Sequence, residues 1–145
     1  MADLLANALK RLGTPVSDPY GGRIGRLDSV YIDPYDGAPS WLLLVRGRFG
    51  GRYVFVPFPD ELPAQGPVSA QVDRELIWQA PMARVYSQLT REQELRLCHH
   101  YSWRWRRAEL EGRPKGTITA RRVAMPVHPS TLSPYAVSAR PARGE

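Results

Sequence analysis

The sequence has little of several features that would place it in a special class. Its 145 residues include one cysteine, Cys98, and only two lysines against eighteen arginines. A single cysteine excludes an internal disulfide framework and is typical of a chain in a reducing cytoplasm. No apolar run approaches the roughly 20 residues that a membrane-spanning helix needs, and Met1–Leu12 lacks the long apolar centre of a secretory signal. We therefore expect a cytoplasmic protein without a transmembrane segment.

Catalytic and metal-binding patterns are also missing. Cys98–His100 are consecutive, and neighbours on a helix point about 100° apart, so they do not suit one metal ion. Nothing places a base and an orienting acid beside Cys98, which the pattern favours as a small buried side chain. The carboxylates of Asp60–Glu61 and of Glu92 and Glu94 fit a polar loop and a helix N-terminus. We predict no cofactor, no metal and no catalysis. The alternative is an active site of scattered residues, which a deep pocket would support.

The net charge of +6 is unevenly distributed along the chain. Met1–Glu111 holds fourteen Arg or Lys against thirteen Asp or Glu, whereas Gly112–Glu145 holds six against one. Residues 112–145 are therefore predicted to be an extended or disordered basic tail. Within it, Thr117–Val127 favours a strand formed on a partner. A tail of this kind is also typical of a tether for nucleic acid or an acidic protein.

Short apolar runs separated by tight-turn signals occupy Gly13–Pro57. Asp18–Gly22 and Asp33–Gly37 share one pattern, in which Asp accepts bonds from backbone amides, Pro presets φ and the final Gly accepts a positive φ. In the strand between the two turns, Arg23–Ile32, the alternation of apolar and polar residues fails twice. Gly25 is a natural place for a bulge that bends this strand. The pattern predicts a mainly β fold, a small antiparallel barrel of about six short strands. The strand candidates here are Arg23–Ile32, Trp41–Val45 and Arg52–Val56.

This arrangement of glycines and apolar positions resembles the PRC-barrel family. That family is named after the cytoplasmic domain of the photosynthetic reaction-centre H subunit and includes the C-terminal domain of a ribosome-maturation factor. The resemblance covers Leu12 to about Met82. It implies a small antiparallel barrel used for binding or assembly, with no shared active site. The matching segments are Gly13-x-Pro15-Val16, Asp18-x-x-Gly21, Ile24-Gly25-x-Leu27-x-x-Val30-x-Ile32-Asp33, Trp41–Val45, Val54-x-Val56-Pro57, Val68–Asp73 with Glu75, and Ala80-Pro81.

Helices are predicted on both sides of the barrel domain, which spans residues 13–82. Residues 1–12 form a short N-terminal helix that stops at Gly13. Residues 89–111 form a C-terminal amphipathic helix, which begins with a capping box of Thr90 and Gln93. Its apolar stripe is expected to pack on the barrel or on a second copy of the protein. The stripe comprises Leu95, Leu97, Cys98, Tyr101 and Trp105, and the basic last turn comprises Arg104, Arg106 and Arg107.

Candidate partner-binding residues fall in two places. A glycine-rich hairpin link carries arginines and an aromatic that suit phosphate or a stacked base. The alternative is a solvated hairpin tip in which Phe49 folds back on the barrel. Trp103 falls off the helical stripe, and an exposed indole there would suit an interface. Trp78 is assigned to the core. The complete candidate set is Arg46, Arg48, Phe49, Arg52, Trp103 and Trp105.

These features together predict a non-catalytic barrel module for protein–protein interaction or assembly, which self-associates as a homodimer. The alternative is an RNA- or ribosome-associated accessory protein that uses the arginine loop and the basic tail.

Overall fold

The computed structural model describes residues 3–47, 51–84 and 88–123. The fold is mainly β, with several short helices. In chain order the elements are α1 (Leu4–Leu9), β1 (Pro15–Ser17), β2 (Arg23–Ile32), β3 (Pro39–Arg46), β4 (Arg52–Pro57), β5 (Val68–Ser69), α2 (Arg74–Trp78), β6 (Leu89–Thr90), α3 (Arg91–Tyr101), α4 (Arg104–Glu111) and β7 (Ile118–Arg122).

The sheet is organised around the long strand β2. The strand order is β4-β3-β2-β1-β5, and β7 pairs with both β2 and β6. All pairs are antiparallel except β1 with β5, which is parallel. These pairings within the described residues do not join β5 to β4, so they do not close the sheet into a barrel. The continuously apolar segment Trp41–Leu44 is fully buried in β3, as expected for a strand covered on both faces.

Two register shifts bend β2, which explains why its apolar pattern departs from alternation. Against β1, Val16 pairs with Gly25 and Ser17 with Arg23, so one residue of β2 is skipped beside Gly25. The second shift, against β3, skips the residue between Leu27 and Ser29, and a further shift between Tyr31 and Ile32 leaves the extra residue, Ser40, on β3. Gly25 is also needed for close packing, because a Cβ there would lie 2.6 Å from the carbonyl oxygen of Val45. The predicted bulge at Gly25 is confirmed.

The two related turns fold by the predicted side-chain chemistry but close differently. Asp18 Oδ1 accepts the Tyr20 amide at 2.9 Å, and Asp33 Oδ1 accepts the Tyr35 amide at 2.8 Å. The positive φ falls on Gly37 as expected in the second turn, at 76°. In the first turn it falls on Gly21, at 88°, rather than on the final glycine. The first turn is thus one residue tighter than its sequence pattern suggests.

The outer edge of β4 is covered by other parts of the same chain. Ala83 donates its amide to the Tyr53 carbonyl at 3.1 Å, and Val54 forms a bridge with Met82. The Tyr101 hydroxyl donates to the Phe55 carbonyl at 2.6 Å. Because these outward-facing carbonyls already have donors, this edge offers few sites for another strand.

The segment Val68–Asp73, which matches the PRC-barrel pattern, is mostly not a strand. Only Val68–Ser69 pair in the sheet, and the Ala70 amide then bonds the Ser17 carbonyl at 2.8 Å. The apolar cluster that follows belongs to the short helix α2, with Ile77 fully buried.

The predicted C-terminal helix is divided in two. Its capping box at Thr90 and Gln93 is confirmed, but α3 ends at Ser102, which adopts the left-handed conformation at φ 55° and ψ 38°. The Trp103 amide bonds the Cys98 carbonyl at 2.8 Å, a pattern typical of a helix C-terminus. Arg104, Arg106 and Arg107 were expected in the last turn of one helix. They lie instead at the start of α4, where the helix dipole does not favour cations.

The beginning of the predicted basic tail is part of the sheet. Ile118–Arg122 form β7, which pairs with β2 and β6 of the same chain rather than with a partner, and Thr119 and Ala120 are fully buried. Residues 124–145 lie outside the described residues. No helix in the described part of the chain is long and apolar enough to cross a membrane.

Candidate functional site

Arginines gather at one end of the β2–β3–β4 sheet. Arg46 and Arg52 lie directly opposite each other on β3 and β4, and Arg26 on β2 lies opposite Val45. Arg23 begins β2, two residues before Gly25, and lines one surface groove with Arg26 and Arg46. We call Arg23, Arg26, Arg46 and Arg52 the arginine row. Arg46 and Arg52 belong to the predicted candidate set, whereas Arg48 and Phe49 lie outside the described residues.

An indole supports two members of the arginine row. Trp78, at the end of α2, lies with its ring centroid 5.2 Å from Arg46 Cζ and 5.8 Å from Arg52 Cζ. Both distances are in the range of cation–π contact, which favours a guanidinium over the ring face. The buried indole nitrogen has no hydrogen-bond partner among the described residues. Contacts of the ring therefore hold Trp78 in place. Trp78 packs against the core, as expected, and it also contacts two arginines.

The arginine row forms no ion pair within the described part of the chain. No described carboxylate contacts any of its four members, and Arg26 Nη2 donates to the Gly47 carbonyl at 3.3 Å. Like charges directly opposite each other on neighbouring strands destabilise a sheet. The row therefore combines fixed positive charge with an exposed position.

A second group of charges lies where α4 meets the first hairpins, around three buried side chains, Asp33, Glu94 and Arg106. It consists of Asp33, Glu94, Arg106, Glu109 and Arg113, which we call the ionic cluster. Arg106 is its centre: its Nε donates to Glu94 Oε2 at 2.6 Å, and its Nη1 donates to Asp33 Oδ2 at 2.8 Å. Arg113 also donates to Asp33, from Nη1 to Oδ1 at 2.8 Å. Since Arg106 and Glu94 are 3% and 0% exposed, these contacts fix α3, α4 and the turn after β2 together.

Protonation in the ionic cluster is set by opposing effects. Burial raises the pKa of Asp33, but the hydrogen bonds from Arg113 and Arg106 outweigh it and leave that pKa below its usual value. The pKa of Arg106 is raised, because its carboxylate partners Glu94, Asp33 and Glu109 outweigh its burial. Asp33 and Arg106 are therefore charged at neutral pH.

We expect acid to weaken the fold through Asp33. A carboxylate whose pKa is lower in the folded state stabilises that state above its unfolded pKa, near 3.9, and this contribution is lost as pH falls through the folded value. Urea unfolding between about pH 5 and 2 should show a steep decline in the free energy of unfolding of the wild type. The Asp33→Asn variant should have a lower free energy of unfolding at pH 5, and this free energy should fall less as the pH decreases. Asp60→Asn, which alters an exposed carboxylate without an arginine partner, is the control and should keep the wild-type slope. Equal slopes for wild type and Asp33→Asn would contradict this assignment.

An aromatic series runs from the core to the surface of α4. The ring of Trp103 lies 5.1 Å from Trp41, which is fully buried, and 5.2 Å from Trp105, both in edge-to-face geometry. Trp103 is therefore half-buried against the core rather than fully exposed. Trp105, expected on the stripe that packs on the barrel or on a second copy, is 62% exposed, because the break at Ser102 changes the direction of the chain.

The Cys98–His100 segment is spread over different environments. Cys98 is buried, and burial raises the pKa of its thiol to about 12, so it is not a reactive thiolate. His99 is exposed, and His100 Nε2 lies 2.6 Å from the Leu76 carbonyl. In the described chain no group of three His, Cys, Asp or Glu residues is arranged to hold a metal.

A groove of about 640 Å³ lies beside this segment, lined by both histidines, Arg107 and Leu95 among others. It is an open surface groove rather than a deep pocket. The alternative of an active site built from scattered residues stays a prediction.

Sequence reasoning missed the ionic cluster and the support of the arginine row. Glu94 was assigned to the favourable start of a helix, and Arg106 to a helix end. The only signal for their burial was the presence of acidic and basic residues one helical turn from the apolar stripe, which is common on exposed helices.

No protein-family model matches this chain, and no curated protein does. The resemblance to the PRC-barrel family therefore stays a prediction.

Proposed function

We propose that this chain is a non-catalytic binding module that associates with a second copy of itself through the exposed side of α4. The observation that carries the proposal is Trp105, which is 62% exposed although its ring is held at 5.2 Å against Trp103. A large aromatic residue already fixed in one position loses little conformational entropy on binding, and tryptophan is enriched among residues that dominate interface energies.

The charge order of α4 favours a second copy as the occupant. The helix reads Arg-Trp-Arg-Arg-Ala-Glu-Leu-Glu, with cations at its start and carboxylates at its end. This order opposes the helix dipole in a single chain. Two copies related by a two-fold axis would pair their α4 helices antiparallel. Each Arg104 would then lie near the carboxylates at the end of the other copy's α4. Each Trp105 would then lie beside the last turn of the other copy's α4.

The fold and location belong to the same proposal. The antiparallel pairing of β1–β4 and the two bends in β2 support a small barrel of the PRC type, as the resemblance implies. The one cysteine is a free buried thiol, which supports a reducing, cytoplasmic location.

Sedimentation equilibrium tests the proposed dimer. We expect the wild type to be dimeric at micromolar concentration and Trp105→Ser to weaken the dimer by about 30-fold or more, corresponding to a loss of about 2 kcal/mol. Tyr20→Ser removes an aromatic that is 85% exposed in a different turn and should leave the dimer unchanged.

Charge exchange tests the antiparallel arrangement. Arg104→Glu and Glu111→Arg should each weaken the dimer, and the double variant should restore much of the lost affinity, because opposite charges again face each other. A wild type that sediments as a monomer at high concentration, or a Trp105→Ser dimer of unchanged strength, would refute the proposal.

A further inference from the structure

We propose that the arginine row, with Arg46 and Arg52 held on Trp78, is a binding site for the phosphodiester backbone of a nucleic acid strand. This inference does not depend on the proposed dimer, because it uses another surface.

The first argument is the missing counter-charge. Arg46 and Arg52 are exposed, lie directly opposite each other, and have no carboxylate partner in the described chain. Opposed like charges do not favour the hairpin. The Trp78 ring stabilises both guanidinium groups but carries no net charge, and a local choice that works against the fold is expected at a functional site. An anionic ligand supplies the missing charge.

The second argument is the spacing of the row. Its members come from β2, β3 and β4, which are successive neighbours in the sheet. Neighbouring strands lie about 4.8 Å apart, whereas one nucleic acid strand of a duplex carries a charge about every 3.4 Å along the axis. Arg46 and Arg52 therefore place two cations on one face at about this interval, whereas Arg26, which pairs with Val45, lies on the other face of the sheet. A single small anion would neutralise only part of the row.

The third argument is the role of the indole. Guanidinium faces at 5.2 Å and 5.8 Å from the Trp78 ring are restrained by it, and their N–H edges remain available. These edges match the oxygens of phosphate, which arginine binds through paired hydrogen bonds. Restraint before binding lowers the entropy lost when the ligand arrives. Trp78 is thus a positioning residue in this proposal.

An acidic protein is the less favoured ligand. Protein interfaces have an apolar centre, and no exposed large apolar residue of the described chain lies within the three strands, although Met82 borders β4 through its bridge with Val54. These exposed residues are Tyr20, Tyr35, Met82, Trp105 and Ile118, none of which belongs to β2, β3 or β4. Contact with phosphates needs no such centre.

The test is fluorescence anisotropy with the full chain and labelled single strands of about 20 nucleotides, one of RNA and one of DNA, from about 50 to 200 mM salt. Binding of either strand with an affinity that falls steeply with salt supports a phosphodiester site. For Arg46→Gln/Arg52→Gln we expect a loss of at least about ten-fold at low salt and a salt slope smaller by about 1.4, from about 0.7 per lost contact.

The matched control is Lys10→Gln/Arg121→Gln. It removes the same net charge at two other exposed positions and leaves residues 124–145 unchanged. We expect it to weaken binding by less than about three-fold. Equal losses in the two double variants would show that only total charge matters and would overturn the site. Absence of binding by the wild type would also overturn the site. So would a competition experiment in which a polyglutamate peptide displaces labelled RNA with the same efficiency as unlabelled RNA.

The positioning role of Trp78 has its own test. Trp78→Phe keeps a ring face and should retain most of the affinity, whereas Trp78→Leu should lose several-fold. Thermal unfolding checks that both variants fold. Equal affinity of the folded Leu variant and the wild type would remove Trp78 from the site. Trp105→Ser should bind the strands as the wild type does, so that a failure of the dimer and a failure of this site are distinguishable.

Discussion

Replacing Arg106 with methionine should lower the free energy of unfolding by about 3–5 kcal/mol, which is typical when one partner of a buried ion pair is removed. Arg106 is 3% exposed and donates to two buried carboxylates, Asp33 and Glu94. Methionine fills a similar volume but offers no donor. Glu94 would keep only the Trp41 indole N–H, at 3.0 Å, and would remain charged and buried or take up a proton at a cost.

Urea unfolding followed by tryptophan fluorescence measures this loss. The control is Arg107→Met on the same helix, since Arg107 is exposed and its contact with Glu111 is a surface pair at 3.6 Å. That variant should change stability by less than about 1 kcal/mol. Adding Glu94→Gln to Arg106→Met should recover part of the loss, because a neutral amide is easier to bury than a lone carboxylate. A loss below about 1 kcal/mol in Arg106→Met would contradict the buried cluster.

The second large effect is expected at Gly25. An alanine Cβ there would lie 2.6 Å from the Val45 carbonyl oxygen. That oxygen belongs to the backbone of β3, so the clash cannot be relieved by turning a side chain. The strands β2 and β3 must separate, and we expect Gly25→Ala to cost about 1–3 kcal/mol, as for other overpacked sites.

Gly112→Ala is the matched control for Gly25. Gly112 ends α4 with φ −81°, a conformation that alanine adopts, and the nearest atom to an added Cβ is 3.5 Å away. The same substitution should therefore be neutral or stabilise by up to about 1 kcal/mol, through the unfolded state. Thermal unfolding of both variants compares them directly. A Gly25→Ala protein as stable as Gly112→Ala would show that the two strands are not so closely packed.

The parts of the fold that sequence predicted depend on chemistry within a few residues. The Asp18 and Asp33 turns are set by a side chain that bonds an amide two residues later, and the capping box of Thr90 and Gln93 lies within one helical turn. The bulge at Gly25 is visible because the apolar pattern shifts there. Such signals survive without knowledge of distant contacts.

What sequence did not predict depends on distant or unusual partners. Ser102 ends α3 in a left-handed conformation that glycine or asparagine usually signals, so the two helices were joined into one. That error placed Trp105 on one stripe with Cys98, whereas Cys98 is buried and Trp105 is 62% exposed. In the candidate site, Arg46 and Arg52 were found from composition. Their contact with Trp78 was not, because α2 lies more than twenty residues further along the chain.

The ionic cluster joins segments that are synthesised at different times. Asp33 lies 73 residues before Arg106 and 80 before Arg113. At about 5–20 residues per second, a nascent chain carries the carboxylate for about 4–16 s before its arginines are made. During that interval the first hairpins have no neutralising partner for a side chain destined for the interior. The segment with Arg106 and Arg113 must therefore complete a region that is translated earlier, and a chain that stopped before Arg106 would leave Asp33 without these partners.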